Sequence, residues 1–460
     1  MTKITPDVLI KLLRTHPRAG SAELCARLGG IDRATFMRLV RVVGDDIVAA
    51  GNARRTRYSL RRPLAGKITP IPLYRIDQAG TGHELGELSL IYPEGSVLSA
   101  PGRFPWPLDR DMNDGWFDGL PYPLFDMRPQ GFLGSNFAYH HALDLGVPDN
   151  PEAWSDDDIV FVLAMTGHDQ PGDLILGETA YRRFLDYRRQ DDTRFLPEAV
   201  LATEYPRLAE LAIAHGEGGS SAGGEFPKFT ARRDLEGRKV NVIVKFSGAD
   251  DSPAVRRWAD LLVCEHLATE VMAQMLNLPA AQSAIRRYAG RTFLEVIRFD
   301  RHGNFGRSGV CTLGSLNVAL AGTAGARWTK TALALQAAGS GVTNETVSAI
   351  RHIWWFGKHI GNTDMHEGNL AFRPDMTLAP AYDMLPMLYA PLRGGELTAK
   401  VYAPELPLPD EAQAWRQAAE AGIVYWQTCA GDERISAEFR LICEANAHQL
   451  SRLQTEAGSQ

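Results

Sequence analysis

The sequence predicts an α+β protein with a small basic helical domain at its N-terminus and a long two-lobed body behind it. Three observations support this class. The first 62 residues carry 13 lysines and arginines but only 5 aspartates and glutamates, whereas the whole chain has a net charge of −6. A glycine-rich stretch, residues 215–230, precedes a run with strand-like alternation. Polar side chains recur at short intervals in residues 361–383, GNTDMHEGNLAFRPDMTLAPAYD.

The composition limits the class of protein. With 460 residues, 45% of them hydrophobic and 23% charged, the chain is long enough for about three domains. Five scattered cysteines form no Cys-x-x-Cys pair, which predicts reduced thiols rather than disulfides or a zinc site. The N-terminus lacks a signal-peptide pattern, and no apolar run reaches the length of a membrane span. We therefore expect a cytoplasmic protein without a membrane partner.

The pattern of residues 5–62 predicts three helices and a basic hairpin. Residues 5–15 fit an amphipathic helix, while Ser21 and Asp32 are placed to cap a second and a third helix. Two strand-like runs then surround a Gly-Asn turn. This order resembles a winged helix-turn-helix domain, in which the third helix enters the major groove and the wing contacts the DNA backbone.

The excess of positive charge in this domain predicts that residues 1–62 bind double-stranded DNA. A small protein-docking domain with a solvated basic face is the alternative. The residues expected to contact DNA are Arg33, Arg38, Arg54, Arg55 and Arg57.

The following region, up to about residue 200, predicts a loop-rich α+β domain to which we assign no chemistry. Its proline-rich stretch is expected to be ordered, because four large aromatic side chains need burial. They are Trp106, Trp116, Phe117 and Phe125. Ser155 and the three aspartates after it favour the N-terminus of a helix rather than a catalytic cluster.

The glycine-rich stretch HGEGGSSAGGEFPKFT can hold phosphate groups. Glycines let backbone N–H groups approach phosphate oxygens, so Gly223 and Gly224 are expected to contact a nucleotide. A flexible linker would explain the glycines equally well. The run KVNVIVKFS favours the nucleotide, because its alternation places Lys245 in a strand soon after the loop.

The helix predicted for residues 258–278 carries a carboxylate on its apolar face. Glu265 falls within an apolar stripe, whereas Asp260 and Glu270 fall on the opposite, polar side. A buried carboxylate is costly unless it is paired, and Lys245 is the natural partner. A strand lysine paired with a helix glutamate holds the α- and β-phosphates of ATP in protein kinases, so both residues are predicted to bind ATP.

The run FLEVIRFDRHG predicts a strand that ends in a charged turn. In a two-lobed kinase the connection between the lobes would fall here. The backbone from Glu295 to Ile297 is therefore expected to form hydrogen bonds with adenine.

Residues 361–383 predict a metal-binding hairpin. Strand-like runs on both sides of a turn at residues 373–375 would pair and bring the side chains of Asn369 and Asp383 together. These oxygen ligands, with the carboxylate of Asp364 upstream, suit Mg²⁺ and a triphosphate. A polar turn in a surface hairpin is the plain alternative.

Two further roles follow for this stretch. Asp364 is predicted to be the catalytic base, because a positioned carboxylate can accept the proton of an attacking hydroxyl. His366 is expected to orient the loop at the ATP site through hydrogen bonds rather than to take part in the chemistry.

These motifs resemble the HipA family of bacterial serine/threonine protein kinases over roughly residues 70–455. The resemblance is strongest at SSAGGEFPKF, VIVKFS, VIRFDR, GNTDMHEGN and AYDMLP. The GGEFPKF form and the basic domain on the same chain are similar to YjjJ-type members, whereas ordinary HipA toxins have a separate DNA-binding antitoxin. The resemblance implies a two-lobed protein-kinase-like fold that uses ATP and Mg²⁺ and does not require a separate antitoxin partner.

The resemblance also implies roles for individual residues. Lys245 would bind phosphate, Asp364 would be the base, and Asn369 and Asp383 would be the magnesium ligands. A serine in the glycine-rich loop is an autophosphorylation site in the family, and its modification ejects the loop and silences the kinase. The matching serines are Ser221 and, next best, Ser220.

The resemblance divides the chain into four parts: residues 1–65, the winged helix-turn-helix domain; 66–200, the HipA N-terminal subdomain; 201–298, a kinase N-lobe-like part; and 299–460, a helical C-lobe. It implies a serine/threonine kinase of the toxin type that phosphorylates a bacterial protein, a class that includes aminoacyl-tRNA synthetases, and whose DNA-binding domain autoregulates. Two alternatives are a small-molecule phosphotransferase of the aminoglycoside type, which shares the Asp-x-His-x-x-Asn pattern, and a transcription regulator that senses nucleotide.

Overall fold

The computed structural model describes residues 5–190, 195–214, 226–325, 327–392 and 394–458. Within these ranges helices combine with sheets whose strands pair antiparallel except for one parallel pair, which confirms the predicted α+β class. The chain divides into two compact units. One contains Met1–Asp77, Thr81–Arg128 and Ala153–Gln190, and the other contains Gln78–Gly80, Pro129–Glu152 and Asp191–Gln460.

The first 62 residues contain the three helices and the hairpin that the pattern predicts. A three-stranded sheet of order β1-β3-β2 packs with the helices around Leu9, Leu13 and Phe36. Asp32 caps the third helix by accepting from the Thr35 N–H. The elements are α1 Pro6–Thr15, β1 Ala19–Gly20, α2 Ser21–Arg27, α3 Arg33–Val43, β2 Ile47–Ala50 and β3 Arg57–Leu60. Ser21 is the first residue of α2 rather than its cap, so that prediction was wrong by one residue.

The next region forms a five-stranded antiparallel sheet of order β7-β6-β5-β4-β8. Trp106, Trp116 and Phe117 are buried as predicted, and Phe125 is half-buried. Ser155 and Asp158 form a reciprocal capping box at the start of α6. The elements are β4 Ile71–Ile76, β5 Gly82–Leu90, β6 Ser96–Ser99, α4 Arg110–Asn113, β7 Trp116–Phe117, α5 Gly131–Leu145, α6 Asp156–Thr166, β8 Leu174–Leu176 and α7 Glu178–Arg189.

A second five-stranded sheet, of order β12-β13-β11-β10-β9, carries the predicted lysine strand. Alternate side chains of its strands pack with Leu201, Tyr205 and Ala209 of helix α8. The elements are β9 Leu196–Pro197, α8 Leu201–Ala214, β10 Lys228–Leu235, β11 Arg238–Phe246, α9 Pro253–Leu276, β12 Ser283–Tyr288 and β13 Arg291–Ile297.

The C-terminal part is mostly helical, as predicted. Its long helices bury large aromatic side chains, among them Trp355, Trp415 and Trp426. The elements are β14 Arg301–His302, β15 Gly306–Arg307, β16 Cys311–Thr312, α10 Leu313–Leu316, α11 Trp328–Ala337, α12 Asn344–His359, β17 Ala371–Phe372, α13 Ala412–Gly431 and α14 Ala437–Gly458.

Helix α9, Pro253–Leu276, begins five residues and ends two residues before the predicted bounds, and the environment of Asp260 also differs from the prediction. Asp260 was placed on the polar side, yet it is buried and accepts hydrogen bonds from the backbone N–H and hydroxyl of Ser436. Glu270 is exposed, as predicted. Across the described parts of the chain, every helix is too short or too polar to cross a membrane.

Candidate active site

A buried lysine and glutamate join strand β11 to helix α9. The Lys245 Nζ lies 2.7 Å from Oε1 and 2.8 Å from Oε2 of Glu265, and both side chains are almost fully buried. Alternation along β11 places Lys245 on the face towards α9, and the apolar stripe of the helix places Glu265 opposite it. The pair predicted from the two periodicities is therefore present in the structure.

The same lysine contacts a second carboxylate from a distant part of the chain. Asp383 Oδ1 lies 2.5 Å from the Lys245 Nζ, and a third of the Asp383 side chain is exposed. Asp383 has a φ of +54°, a left-handed conformation that residues other than glycine rarely adopt. Such backbone strain persists only where the surrounding structure imposes it, and it is concentrated at functional sites.

The charges at this site are coupled through Lys245. Burial lowers the pKa of Lys245, but the carboxylates of Asp383 and Glu265 outweigh burial and raise it. Burial, with the nearby charge of Asp383, raises the pKa of Glu265 to about 7 even though Lys245 opposes the shift. The pKa of Asp383 is lowered, because the charges of Lys245 and Lys228 outweigh its burial. Lys245 thus stays cationic and Asp383 anionic, as the binding of phosphate and metal requires.

Residues 361–370, which we call the Asp364 loop, follow helix α12. Asn362 donates from its Nδ2 to the Asp383 carbonyl at 3.2 Å and accepts from the Asp364 N–H at 3.0 Å. Asn369 donates from its Nδ2 to the Asp364 carbonyl at 2.7 Å. The Asp364 side chain is exposed, so a substrate group could reach it.

The predicted hairpin is present, but the hydrogen bonds of the residues at its two ends differ from the expected ones. Phe372 and Leu378 form a single antiparallel bridge across a turn closed by the Met376 N–H and the Arg373 carbonyl. The Asn369 carboxamide bonds the Asp364 backbone, and Asp383 connects to the loop through Asn362. The described hydrogen bonds therefore join Asn369 and Asp383 indirectly, and the expectation that their side chains meet stays a prediction.

His366 and Tyr382 shape the end of the Asp364 loop. The His366 Nδ1 accepts from the Gly368 N–H at 3.1 Å, so the exposed ring caps the turn. The Tyr382 hydroxyl donates to the Gly368 carbonyl at 2.7 Å, and its ring packs against Phe299, with 5.8 Å between the ring centroids. The His366 ring therefore stabilises the turn, and its orienting role at an ATP site stays a prediction.

The oxygen donors fit a magnesium ion that is held jointly with phosphate. Among the described residues no three histidine, cysteine, aspartate or glutamate side chains cluster as a complete metal site. Mg²⁺ usually takes one or two protein carboxylates and completes its shell with water and substrate phosphates. The partly exposed carboxylate of Asp383 suits that mode, and the carboxamide of Asn369 is the predicted second ligand.

Comparison with known proteins assigns the family. The chain is 35% identical to Toxin YjjJ of Escherichia coli (strain K12) over 450 residues, which cover 97% of this chain and 98% of that protein. The chain belongs to the YjjJ toxin family. Two family models match within it: "YjjJ-like toxin, middle domain" at residues 67–185 and "HipA-like C-terminal domain" at residues 220–447. The resemblance to HipA proteins of the YjjJ type is thereby confirmed.

Two solved structures are also similar to this member of the YjjJ family. One is HipA in the HipA, HipB and operator DNA complex of Shewanella oneidensis MR-1, with 14% identity, a TM-score of 0.45, and coverage of 84% of this chain and 95% of that chain. The other is the proinflammatory kinase CtkA of Helicobacter pylori, with 11% identity, a TM-score of 0.35, and coverage of 50% and 94%. Both TM-scores are below 0.5, so no conclusion rests on these two structures.

The structure gives Glu295 a different environment from the one expected. Glu295 lies in the middle of β13, opposite Val244 of β11 and Ala284 of β12. Its carboxylate accepts hydrogen bonds from Arg233 and the Tyr205 hydroxyl. Backbone groups inside a sheet are already paired, so they are not free for adenine, and the expectation for Glu295 needs correction. Ile297 is the last residue of β13, and its N–H donates to the Gln282 carbonyl.

Four predicted site residues lie outside the described residues: Gly223, Gly224, Ser220 and Ser221. Their contact with nucleotide and the autophosphorylation of a serine therefore stay predictions.

The arginines predicted to bind DNA fall into two groups. Arg55 and Arg57, in and beside the hairpin, form ion pairs with Asp114 and Asp111, at 2.8 and 3.0 Å. Arg33 and Arg54 are exposed and have no ion-pair partner among the residues that the structure describes, and Arg38 donates to the Thr35 hydroxyl. Only the second group is available to a ligand without breaking an ion pair.

Three residues that the structure places at the site were not identified from the sequence. Lys228 lies opposite Lys245 in the β10–β11 register, and its charge lowers the pKa values of Asp383 and Glu265. Its position in GGEFPKF, where the strand begins, could have revealed it. Asn362 precedes Asp364, and Glu367 directly follows His366 within GNTDMHEGN, but their roles depend on partners distant in sequence.

Proposed function

We propose that this protein is an ATP- and Mg²⁺-dependent kinase that phosphorylates a serine or threonine hydroxyl of a bacterial protein. The observation that carries the proposal is the buried Lys245, held between Glu265 and Asp383, with the exposed Asp364 joined to Asp383 through Asn362. A charged lysine, a partly exposed carboxylate and a separate exposed carboxylate are the groups that phosphoryl transfer needs. Membership of a toxin family with a HipA-like C-terminal domain supports the same activity.

Each residue has a distinct role in the proposed reaction. Lys245, fixed by Glu265, binds the α- and β-phosphates, and Lys228 adds a second positive charge beside it. Asp383 and Asn369 hold magnesium, which when bound neutralises charge on the phosphate oxygens. The lysine now paired with Asp383 would turn towards phosphate when nucleotide enters.

The Asp364 loop performs the proton transfer. Asp364 accepts the proton of the substrate hydroxyl as the oxygen attacks the γ-phosphorus and the bond to the β-γ bridging oxygen breaks. His366 keeps the loop in place through the Gly368 N–H. Adenine is proposed to bind at the end of β13 without using the Ile297 N–H, which already donates to the Gln282 carbonyl. Gly223 and Gly224 are proposed to approach the phosphates.

Regulation and location complete the proposal. Ser221, or Ser220 beside it, is the autophosphorylated residue. The activity is cytoplasmic, which agrees with five cysteines that all remain free thiols. Because the DNA-binding domain is part of the same chain, a separate antitoxin is not required.

The test is transfer of label from γ-labelled ATP in a cell lysate. We expect label on proteins with the wild-type chain and none with Asp364→Asn, while nucleotide affinity is retained. Label only on small molecules would favour an aminoglycoside-type phosphotransferase instead. Growth inhibition that persists in Asp364→Asn would point to a regulator that senses nucleotide without transferring phosphate.

We infer a second function, binding of double-stranded DNA by a winged helix-turn-helix domain in residues 1–62. The observation that favours it is the exposed surface of α3, where Arg33 and Arg41 have no ion-pair partner within the described ranges and Arg38 contacts only its own helix. Helix α3 is therefore the DNA-reading element. The hairpin arginines Arg55 and Arg57 are already neutralised by acidic residues.

Salt dependence separates the two groups of arginines. Replacing Arg33, Arg38 and Arg41 with alanine should weaken binding and reduce the slope of log affinity against log salt by about 0.9 for each lost phosphate contact. Arg55→Ala with Arg57→Ala should leave the slope unchanged. Asp111→Asn with Asp114→Asn should steepen it, because two arginines become free. An unchanged slope in the α3 variant would refute this assignment.

A further inference from the structure

Glu367 lies three residues after Asp364, and its side chain leaves the Asp364 loop. Its carboxylate accepts from the Asn317 Nδ2 at 3.1 Å on Oε1 and 2.9 Å on Oε2, and from the Thr331 hydroxyl at 2.7 Å on Oε1. All these donors are uncharged. The interaction is therefore a directional network rather than an ion pair, and its strength depends on geometry.

The two donors are buried and belong to different elements. Asn317 begins a turn of π-helix, Asn317–Ala321, and Thr331 lies within α11. The Asn317 Oδ1 accepts from the backbone N–H and hydroxyl of Thr323, and its Nδ2 also donates to the Thr323 carbonyl. The amide of Asn317 is fully used, so the network has one arrangement that satisfies it.

The same segment meets the Asp364 loop at a second place. Strand β16 pairs with β17, directly after the loop, and the Leu313 N–H donates to the Leu370 carbonyl at 2.7 Å. We call residues 311–323 together with Thr331 the brace. The brace thus contacts the loop at its end and, through Glu367, beside its catalytic residues.

The loop is anchored on its other side by Asn362, which joins it to Asp383. We propose that Glu367 is a positioning residue that fixes the Asp364 loop on the brace, so that the exposed carboxylate of Asp364 is presented to the substrate hydroxyl. The catalytic consequence of this inference rests on the proposed kinase activity. The physical coupling between Glu367 and the brace is independent of that activity.

Removal of the carboxylate would affect catalysis and not nucleotide binding. Glu367→Ala removes the carboxylate that accepts from the Asn317 amide and the buried Thr331 hydroxyl, which then keep only their described contacts with Thr323, and this frees one side of the loop. Misplacement of a catalytic group by about 1 Å costs roughly 100-fold in rate. No hydrogen bond described for the brace reaches Lys245, Glu265 or Asp383. The affinity for ATP should therefore persist.

The kinetic test compares full-length variants in protein labelling with ATP. We expect Glu367→Ala to lower kcat by roughly 10- to 100-fold with KM for ATP within twofold of wild type. Glu367→Gln, which keeps one oxygen acceptor, should recover part of the loss. Asn317→Ala should add little to Glu367→Ala, because both remove the same network. Asp375→Ala removes an exposed carboxylate from the nearby turn and serves as the control.

Amide hydrogen exchange tests the positioning without relying on activity. In Glu367→Ala, exchange should rise in residues 311–323 and 362–370 and stay unchanged in α9, whereas Asp375→Ala should leave both segments as in wild type. Unchanged exchange, or a loss of kcat matched by an equal rise in KM for ATP, would overturn the inference. Absence of phosphotransfer by the wild-type chain would overturn the proposed function alone, and the exchange result would still decide the role of Glu367.

Discussion

Helix α9 carries two buried carboxylates five residues apart, and they have opposite kinds of partner. Glu265 pairs with the cation of Lys245, which it shares with Asp383. Asp260 accepts from the N–H and hydroxyl of Ser436, both uncharged, at 2.7 and 2.6 Å. Both carboxylates are only 3% exposed. Burial alone therefore does not separate a functional carboxylate from a structural one; the charge and the further contacts of the partner do.

The two sites differ in what the partner connects. Lys245 links α9 to Asp383 at the edge of the Asp364 loop, so Glu265 sets the position of a group that remains accessible. Ser436 lies directly before α14, and its carbonyl already accepts from the Arg440 N–H within that helix. Asp260 thus binds at the positive N-terminal end of α14 and holds two helices together. Glu265 thus positions a group of the candidate site, whereas Asp260 stabilises the packing of two helices.

The largest expected effect comes from removing the cation of the functional pair. Lys245→Met leaves Glu265 buried without its charge partner, so the free energy of unfolding should fall by about 3–5 kcal/mol. Phosphotransfer should fall by roughly 100-fold or more. Denaturant unfolding and labelling with ATP measure both effects.

Lys239→Met is the matched control, because Lys239 is a partly exposed lysine on the same strand and pairs with Asp234. It should cost less than about 1 kcal/mol and leave phosphotransfer unchanged. Equal losses in the two variants would contradict the special status of Lys245.

The sequence could predict one of these carboxylates and not the other for a physical reason. Glu265 interrupts an apolar stripe on a helix, so its burial follows from local periodicity, and Lys245 follows from the alternation of a nearby strand. Asp260 is buried on a second covered face of α9, where its partner is Ser436, 176 residues later. Periodicity within one segment does not show that a helix is covered on more than one side.

The same limit explains the other differences. The ion pairs of the hairpin arginines are not visible in the local pattern, because the partners Asp111 and Asp114 lie more than fifty residues later. The arginines were therefore expected to be free. Glu295 was expected at the lobe connection, but its two flanking strands and Arg233 place it inside the sheet. Motif spacing predicted the environment of a residue where its partners are close in sequence. It did not predict that environment where a partner distant in sequence determines it.

The pH dependence of stability should separate the two carboxylates next. Burial raises the pKa of Asp260 from 3.8 to about 6, and the Ser436 hydrogen bonds only partly offset it. Between these values Asp260 binds more protons in the folded state than in the unfolded state, so its contribution to stability is greatest at low pH and falls as pH rises from about 4 to 6. The loss is roughly 3 kcal/mol, and Asp260→Asn should remove it.

The contribution of Glu265 to stability should also fall as pH rises, but over a higher pH range, because burial and the charge of Asp383 raise its pKa to about 7. The difference in stability between Glu265→Gln and wild type should therefore keep changing up to about pH 7, whereas that for Asp260→Asn should level off near pH 6. Unfolding curves collected from pH 4 to 8 measure both. Coincident profiles would mean that the two environments do not differ.

A smaller effect is expected when the structural carboxylate is truncated at neutral pH. Asp260→Ala leaves the Ser436 N–H and hydroxyl without acceptors, which should lower the free energy of unfolding by about 1–3 kcal/mol. Nucleotide affinity should be unchanged, because the hydrogen bonds described for Asp260 go to Ser436 and none goes to a site residue that the structure describes. Glu270→Ala, at an exposed position on the same helix, is the control and should have little effect. A loss of nucleotide binding in Asp260→Ala would remove the distinction between the two carboxylates.

The smallest effect should follow from removing the Ser436 hydroxyl alone. In Ser436→Ala the backbone N–H still donates to Asp260, so the loss should be only about 0.5–1.5 kcal/mol. The pKa of Asp260 should rise further, because the hydroxyl hydrogen bond favours the ionised form. A double-mutant cycle with Asp260→Asn isolates this contribution from any capping of α14 by Ser436. Zero coupling energy would show that the hydroxyl does not stabilise the carboxylate, and that burial with the backbone N–H alone sets its pKa.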